Sequence, residues 1–329
     1  MDFLIFASVI LSFIFLTGLC IGSFLNVVIS RAFSNESIAF PGSKCPTCQA
    51  PLKWYHNIPV LSYLCLKGKC AFCQDKISKQ YPIVELVTGL LYVAIFLNFG
   101  FSLNALFMLI FASLFVVLAA TDIREKVVFD FHTYTLVAFG LIYNLFNIGH
   151  LYAGQIPLAI GGFHFAINNS IIAAVLGVLL GIVVMEIFAR FGYLVAGTRA
   201  FGEGDTYIAA GLGAVFGWKY LISVLAYGFI IQIILTIPVF IKKLYNNKDF
   251  KTLISFFVFF LLVIAIKWLE YANMLNNIWA FLIFTLFLCA AGIYVCKRIL
   301  GGLKDPTNMT YLPFGPALVL GGLIMMFLM

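Results

Sequence analysis

The chain has 329 residues, 63% of them hydrophobic and only 10% charged, with a mean hydropathy of +1.08 and a formal net charge of +7. Soluble chains carry roughly 45–50% apolar and about 25% charged residues, so a soluble enzyme, a disordered chain and a peripheral protein on one anchor are all excluded. A membrane β-barrel is excluded as well, because its segments alternate in polarity over runs of about 10 residues.

The first apolar stretch, 3–29, has no basic residue ahead of it; its first cation is Arg31. A cleavable signal needs a basic n-region and a shorter core, so an uncleaved first span with its N-terminus outside is expected. Further apolar segments follow at 83–99, 101–121, 128–148, 166–191, 206–217, 221–241, 252–269, 278–296 and 311–329. With alternating orientation, 18 of the 20 Lys and Arg residues fall in or beside the cytoplasmic loops; only Lys219 and Lys267 do not. That satisfies the positive-inside rule and leaves no basic run with the footprint of a nucleic-acid binder. The expected fold is an all-α polytopic membrane protein of about ten transmembrane helices. Segment 206–217 is short and rich in glycine, which is tolerated only where protein or water covers the backbone. Loop 149–165 carries no legible chemistry.

The expected organisation is a first helix (1–30), a cytoplasmic tetracysteine unit (31–82) and a membrane-embedded part (83–329). The unit at 31–82 is too small to fold on an apolar core alone. It contains Cys45-Pro-Thr-Cys48 and Cys70-Ala-Phe-Cys73, separated by 21 residues. Two such pairs set four thiolates at the spacing of a tetrahedral zinc site, whose binding energy becomes folding energy. A redox dithiol pair and inert cysteines are the other readings. Cys20, Cys289 and Cys296 lie in apolar spans as small core residues.

Acidic residues in membrane spans are costly and usually functional; here they are Glu85, Asp122, Glu186 and Asp205. Asp122 closes the third span at its cytoplasmic end, and Asp205 opens the sixth within Gly202-Glu-Gly-Asp205. The two therefore share a depth and a face. Paired carboxylates hold one proton between them, so one can activate water while the other polarises a carbonyl. Gly202 and Gly204 would leave room for an extended peptide backbone. The competing readings are an Asp122–Lys126 ion pair at i,i+4 spacing, a structural Glu186–Arg190 pair, and intramembrane carboxylates serving an ion- or proton-coupled transporter. A membrane assembly factor that docks a partner through the cysteine unit is a third class. Asn26 reads as an interhelical hydrogen bond, and Gly18 with Gly22 as a helix contact.

Several stretches together resemble the type IV prepilin peptidases, the bifunctional leader peptidase/N-methyltransferases of bacterial inner membranes. They are Gly22-Ser-Phe-Leu-Asn-Val-Val-Ile-Ser-Arg31, the two cysteine pairs with Trp54-Tyr-His-Asn-Ile-Pro-Val-Leu-Ser-Tyr63 between them, and Gln80-Tyr-Pro-Ile-Val-Glu85. Asp122 with Asp130, Gly202-Glu-Gly-Asp205 and Tyr311-Leu-Pro-Phe-Gly-Pro316 complete the set in the family's order. The resemblance implies an aspartic endopeptidase with Asp122 and Asp205 as its catalytic pair. It would cut the basic leader from prepilins and pseudopilins after glycine, then methylate the new N-terminus from S-adenosylmethionine. Glu85, beside the tetracysteine unit, is the expected contributor to the methyl-donor site. Two departures stand out: Tyr207 occupies a position where the family usually has Lys, and residues 245–305 form an extra apolar hairpin.

Overall fold

The computed structural model describes residues 2–34, 37–40, 42–151, 155–160, 163–196, 202–246, 250–271 and 313–329, with a few more between 286 and 294. The elements are α1 (Asp2–Arg31), a 3-10 turn (Trp54–Asn57), α2 (Leu61–Cys65), α3 (Gln80–Phe99), α4 (Leu103–Glu125) and α5 (Asp130–Leu145). They continue with β1 (Gln155–Ile160), β2 (Phe163–Asn168), α6 (Asn169–Ala196), α7 (Glu203–Asn246), α8 (Phe250–Tyr271) and α9 (Gly315–Leu328). The chain divides into two compact units. One comprises Met1–Val184, Glu203–Phe229 and Pro313–Met329; the other comprises Met185–Gly202 and Ile230–Leu312.

Ten transmembrane helices are not confirmed. Among the described residues, five helices are long and apolar enough to cross a bilayer: Ile5–Arg31, Gln80–Phe99, Leu103–Glu125, Asn169–Phe191 and Glu203–Asn246. Phe250–Val263 and Gly315–Leu328 are shorter apolar helices. Part of the difference lies in α7, where 44 residues run through one element that breaks at Gly217 (φ 72, ψ 170). A straight helix of that length would reach about 66 Å, twice the ~30 Å hydrocarbon core. The break therefore falls at the boundary that separates the expected segments 206–217 and 221–241. The expected segment 278–296 lies mostly outside the described residues, as does much of the hairpin at 245–305.

The elements among the described residues are helical, as expected, apart from one short hairpin. β1 and β2 pair antiparallel, from Gln155 opposite Asn168 to Ile160 opposite Phe163. Residues 166–168, expected to start a span, belong to that hairpin, and α6 begins only at Asn169.

The first compact unit rests on close helix crossings. Buried Gly18, Gly22, Leu25, Asn26 and Ile29 recur at helical spacing on α1 and face α3. A Cβ at Gly22 would fall 2.7 Å from Glu85 Cα, and one at Gly18 would fall 2.8 Å from Gly89 Cα. Glycine there lets two backbones approach where lipid gives no hydrophobic drive for association. The Asn26 amide donates to the Tyr81 carbonyl at 3.0 Å, which is the interhelical bond expected of it. The first stretch of α7 lies at the centre of this unit, with every residue from Ile208 to Gly217 buried. Residues 203–216 reach only about 21 Å at ~1.5 Å per residue, so this is a half-helix sheathed in protein. Its walls are close: a Cβ at Gly181 would fall 2.6 Å from the Ala209 oxygen, and Gly177 meets Gly213 backbone to backbone.

Candidate active site and metal centre

Asp122 lies in the last turn of α4, which ends immediately beyond it. Lys126 adopts the left-handed conformation there and donates its backbone N–H to the Asp122 carbonyl at 2.9 Å. Asp205 lies in the first turn of α7. Both carboxylates are buried, at 5% exposure each, in an otherwise apolar bundle. Buried carboxylates must be protonated, bonded or paired, yet Asp122 Oδ2 has no hydrogen-bond partner. Gly315, at the start of α9, connects the two neighbourhoods. A Cβ there would overlap Asp122 Oδ2 and would also lie 2.9 Å from Cδ1 of Ile208, three residues past Asp205. Two further buried polar atoms without partners lie nearby in sequence: Thr206 Oγ1, beside Asp205, and His132 Nδ1, on α5.

Gly202 is exposed just ahead of α7. Gly204 has a packing reason of its own, because a Cβ there would fall 2.6 Å from Val128 Cβ. Val128 belongs to the short connection between Asp122 and Asp130, so Gly204 seats the start of α7 against the end of α4. Tyr207 packs edge-on against Tyr134 of α5. Glu186 and Arg190 form the expected i,i+4 pair at 3.3 Å, on an exposed face. Gly315, Val128 and Thr206 were not legible as site residues from pattern alone; of these only Gly315 stood within a quoted motif.

The four cysteines converge. Cys45, Cys48, Cys70 and Cys73 place their Sγ atoms within 4.8 Å of one another, and Cys45 Sγ lies 3.9 Å from Cys73 Sγ. A tetrahedron built on Zn–S bonds of ~2.3 Å has edges of about 3.8 Å, so the thiols fit a tetrahedral metal ion. The two pairs are built alike, one displaced by 25 residues from the other. Cys45 N–H bonds the Ala50 carbonyl and Cys70 N–H bonds the Asp75 carbonyl; Gln49 and Gln74 return N–H bonds to Cys45 and Cys70. Gln49 (φ 57) and Gln74 (φ 61) both turn through the left-handed region. The Thr47 hydroxyl donates to Asp75 Oδ2 at 2.6 Å and ties one knuckle to the other. That bond, with the Lys76 N–H, holds the Asp75 carboxyl below its usual range. The Cys70 thiol is drawn down to about 7 by the backbone N–H groups of Cys73 and Phe72, whereas Cys73, desolvated beside the other three thiols, is pushed up to about 12.

Glu85 joins this centre to the membrane helices. Its Oε2 accepts the Val60 N–H at 2.7 Å, and Val60 is held at φ 60. A β-branched residue at positive φ is a genuine outlier. Glu85 thus clamps the segment between the knuckles against α3, while Gly22 of α1 lies on its other side.

The fold and its two clusters define a polytopic membrane protein with two buried aspartates at helix ends and four convergent cysteines that could hold a metal ion. The comparisons with known proteins narrow the class further. Residues 16–99 match the bacterial peptidase A24 N-terminal domain, and residues 109–237 match the type IV leader peptidase family. The chain belongs to the type IV leader peptidase family. It is 37% identical over 216 residues to the prepilin leader peptidase/N-methyltransferase of Klebsiella pneumoniae, covering 64% of this chain and 86% of that one. It is 36% identical over 215 residues to the protein of the same name from Myxococcus xanthus, covering 65% of this chain and 58% of that one. The Neisseria gonorrhoeae protein of that name is 34% identical over 224 residues, covering 61% and 72%. No solved structure matches the chain.

Proposed function

We propose that this protein removes the leader peptide of type IV prepilins and pseudopilins after glycine, at the cytoplasmic face of the bacterial inner membrane, and then methylates the new N-terminus. The observation that carries the reading is the burial of Asp122 and Asp205 at the ends of α4 and α7, with Gly315 set between the Asp122 carboxylate and Ile208 of α7. One carboxylate takes a proton from water, and the hydroxyl oxygen adds to the scissile carbonyl. The other, protonated, donates to the carbonyl oxygen. Collapse of the tetrahedral intermediate breaks the C–N bond, and the leaving amine takes up the proton. An acid and an amine replace water and amide, so atoms and charge balance. Gly202, exposed just ahead of α7, is the proposed approach for the substrate backbone, whereas the space beside Gly204, expected to serve the same purpose, is taken by Val128.

The tetracysteine centre is proposed to hold one structural zinc through Cys45, Cys48, Cys70 and Cys73, with no open coordination position. In the second reaction the free amine attacks the methyl of S-adenosylmethionine, releasing a proton and S-adenosylhomocysteine. Glu85, which ties the cysteine unit to α3, is the residue proposed to shape that donor site. The decisive experiment mixes purified protein in detergent with a prepilin and S-adenosylmethionine and weighs the product. A product lacking its leader and one methyl group heavier is expected. An uncut prepilin in the absence of any ion gradient would leave the transporter reading standing.

The site also predicts the effect of its glycine. Gly315→Ala places a methyl group against the Asp122 carboxylate and Ile208. Misplacement of a catalytic group by ~1 Å can cost about 100-fold in rate. Steady-state cleavage by this variant is expected to fall at least about tenfold in kcat. Unchanged kcat would show that the Gly315 contact does not shape the site.

A further inference from the structure

The half-helix that carries Asp205 stops inside the protein, and a buried asparagine binds the carbonyls at its far end. Gly217 (φ 72, ψ 170) cannot continue an α-helix, so the bonds that Trp218 and Lys219 would return to Ala214 and Val215 would have to cross the break. Carbonyls at a helix end have no intrahelical partner, and in an apolar interior they need one from elsewhere. Asn144 of α5 meets that need. Its Nδ2 donates to the Ala214 oxygen at 2.9 Å and to the Val215 oxygen at 3.0 Å, and also lies 3.1 Å from the Gly140 oxygen of its own helix. Asn144 is 1% exposed.

The rest of α5 follows the half-helix along a stripe at i,i+4 spacing. Leu136 fills the space beside Gly211, and a Cβ at Gly140 would lie 2.8 Å from the Ala214 carbonyl carbon. On the opposite flank Gly177 meets Gly213. These walls are largely glycine and aliphatic carbon, which resist separation of the helices far better than sliding along their axes. The directional contacts at the far end of residues 203–216 include the two carbonyl bonds to Asn144.

We propose that Asn144 is a positioning residue for peptide cleavage: by bonding the terminal carbonyls of the half-helix it fixes the axial position of residues 203–216, and with it Asp205. Val215 lies ten residues beyond Asp205, or about 15 Å along the axis. The helix between them is buried except at half-buried Tyr207 and contains no proline, so a shift at one end reaches the other. This inference rests on the reading of Asp205 as catalytic.

The test compares Asn144→Leu, which keeps the number and branching of the side-chain heavy atoms and loses the donor, with Asn144→Ser, which is smaller and keeps one hydroxyl donor. Two activities are measured: cleavage of a prepilin, and methyl transfer to a synthetic pilin peptide that already begins at the mature N-terminus. Asn144→Leu is expected to lose about tenfold or more in kcat for cleavage, with KM and methyl transfer changed less than about twofold. Asn144→Ser should fall between the parent and Asn144→Leu. A parallel fall of both activities would reduce Asn144 to a general structural role and overturn the proposal, and so would parental cleavage by Asn144→Leu. If Asn144→Leu does not insert, parental cleavage by Asn144→Ser overturns it instead. Asp205→Asn, assayed alongside, separates the two levels of the argument. If it still cleaves, the catalytic reading of Asp205 fails; if it is dead while Asn144→Leu cleaves normally, only the positioning role fails.

Discussion

Asp122→Asn and Asp205→Asn are each expected to abolish prepilin cleavage while leaving the protein inserted, soluble in detergent and able to bind metal. A shared proton requires two carboxyl groups, and an amide can neither accept the proton of water nor release one. Losing a positioned general acid or base costs about 100- to 10,000-fold, so residual cleavage should sit near the detection limit. Stability should respond little, because Asn matches Asp in shape and its amide oxygen can still accept from the Gly315 backbone that meets the Asp122 carboxyl. The measurement is single-turnover cleavage at matched protein concentration, with gel filtration as the check on folding. Near-normal cleavage by either variant would remove that residue from the mechanism. Loss of folding in both would instead favour a structural role for the carboxylates, such as the ion pair that Asp122 and Lys126 could form at their spacing.

The features legible in the sequence are those that local patterns encode. Paired cysteines at fixed spacing announced the metal centre, because a knuckle closes within a few residues of its own chain. The short glycine-rich segment at 206–217 could be read as needing cover, and residues 208–217 are wholly buried. Asn26 and the Gly18/Gly22 pair were read as helix contacts, and α3 lies against them. What stayed hidden depends on which surfaces meet. An asparagine in an apolar helix asks for a partner, but nothing near Asn144 in sequence says that its partners are the carbonyls of Ala214 and Val215. Gly204 looked like an opening for substrate, whereas the nearest occupant of that space is Val128. The hairpin 155–168 was obscured for another reason. Gly161-Gly162 between two short runs is a tight-turn signal, but hydropathy averaging joins residues 166–168 to the helix that follows.

Replacing one cysteine from each knuckle, as in Cys48→Ser with Cys73→Ser, is expected to release the metal and loosen residues 31–82. The prediction follows from size. The unit has no extensive apolar core, and Trp54, Leu61, Leu64 and Phe72 all stand exposed. Its internal bonds include the two knuckle turns, the Thr47–Asp75 bridge, the Glu85–Val60 clamp and the Arg31 guanidinium bonded to the carbonyls of Ser37 and Ile38. Structural zinc sites contribute ~10–16 kcal/mol of apparent binding energy that is also folding energy, and a unit this small has little buried apolar surface to replace it. The carboxylates lie on α4 and α7, and those helices remain packed through contacts that do not involve the cysteines. Methyl transfer should therefore fall much further than cleavage. Metal analysis of the parent should return about one zinc per chain, and the double variant should return none. Protease nicking within 31–82 should accelerate, while mass spectrometry of the product should show cut but unmethylated pilin. Full zinc content in the double variant would refute the ligand assignment. A zinc-free variant that methylates at the parental rate would separate the cysteine unit from the methyl-transfer step.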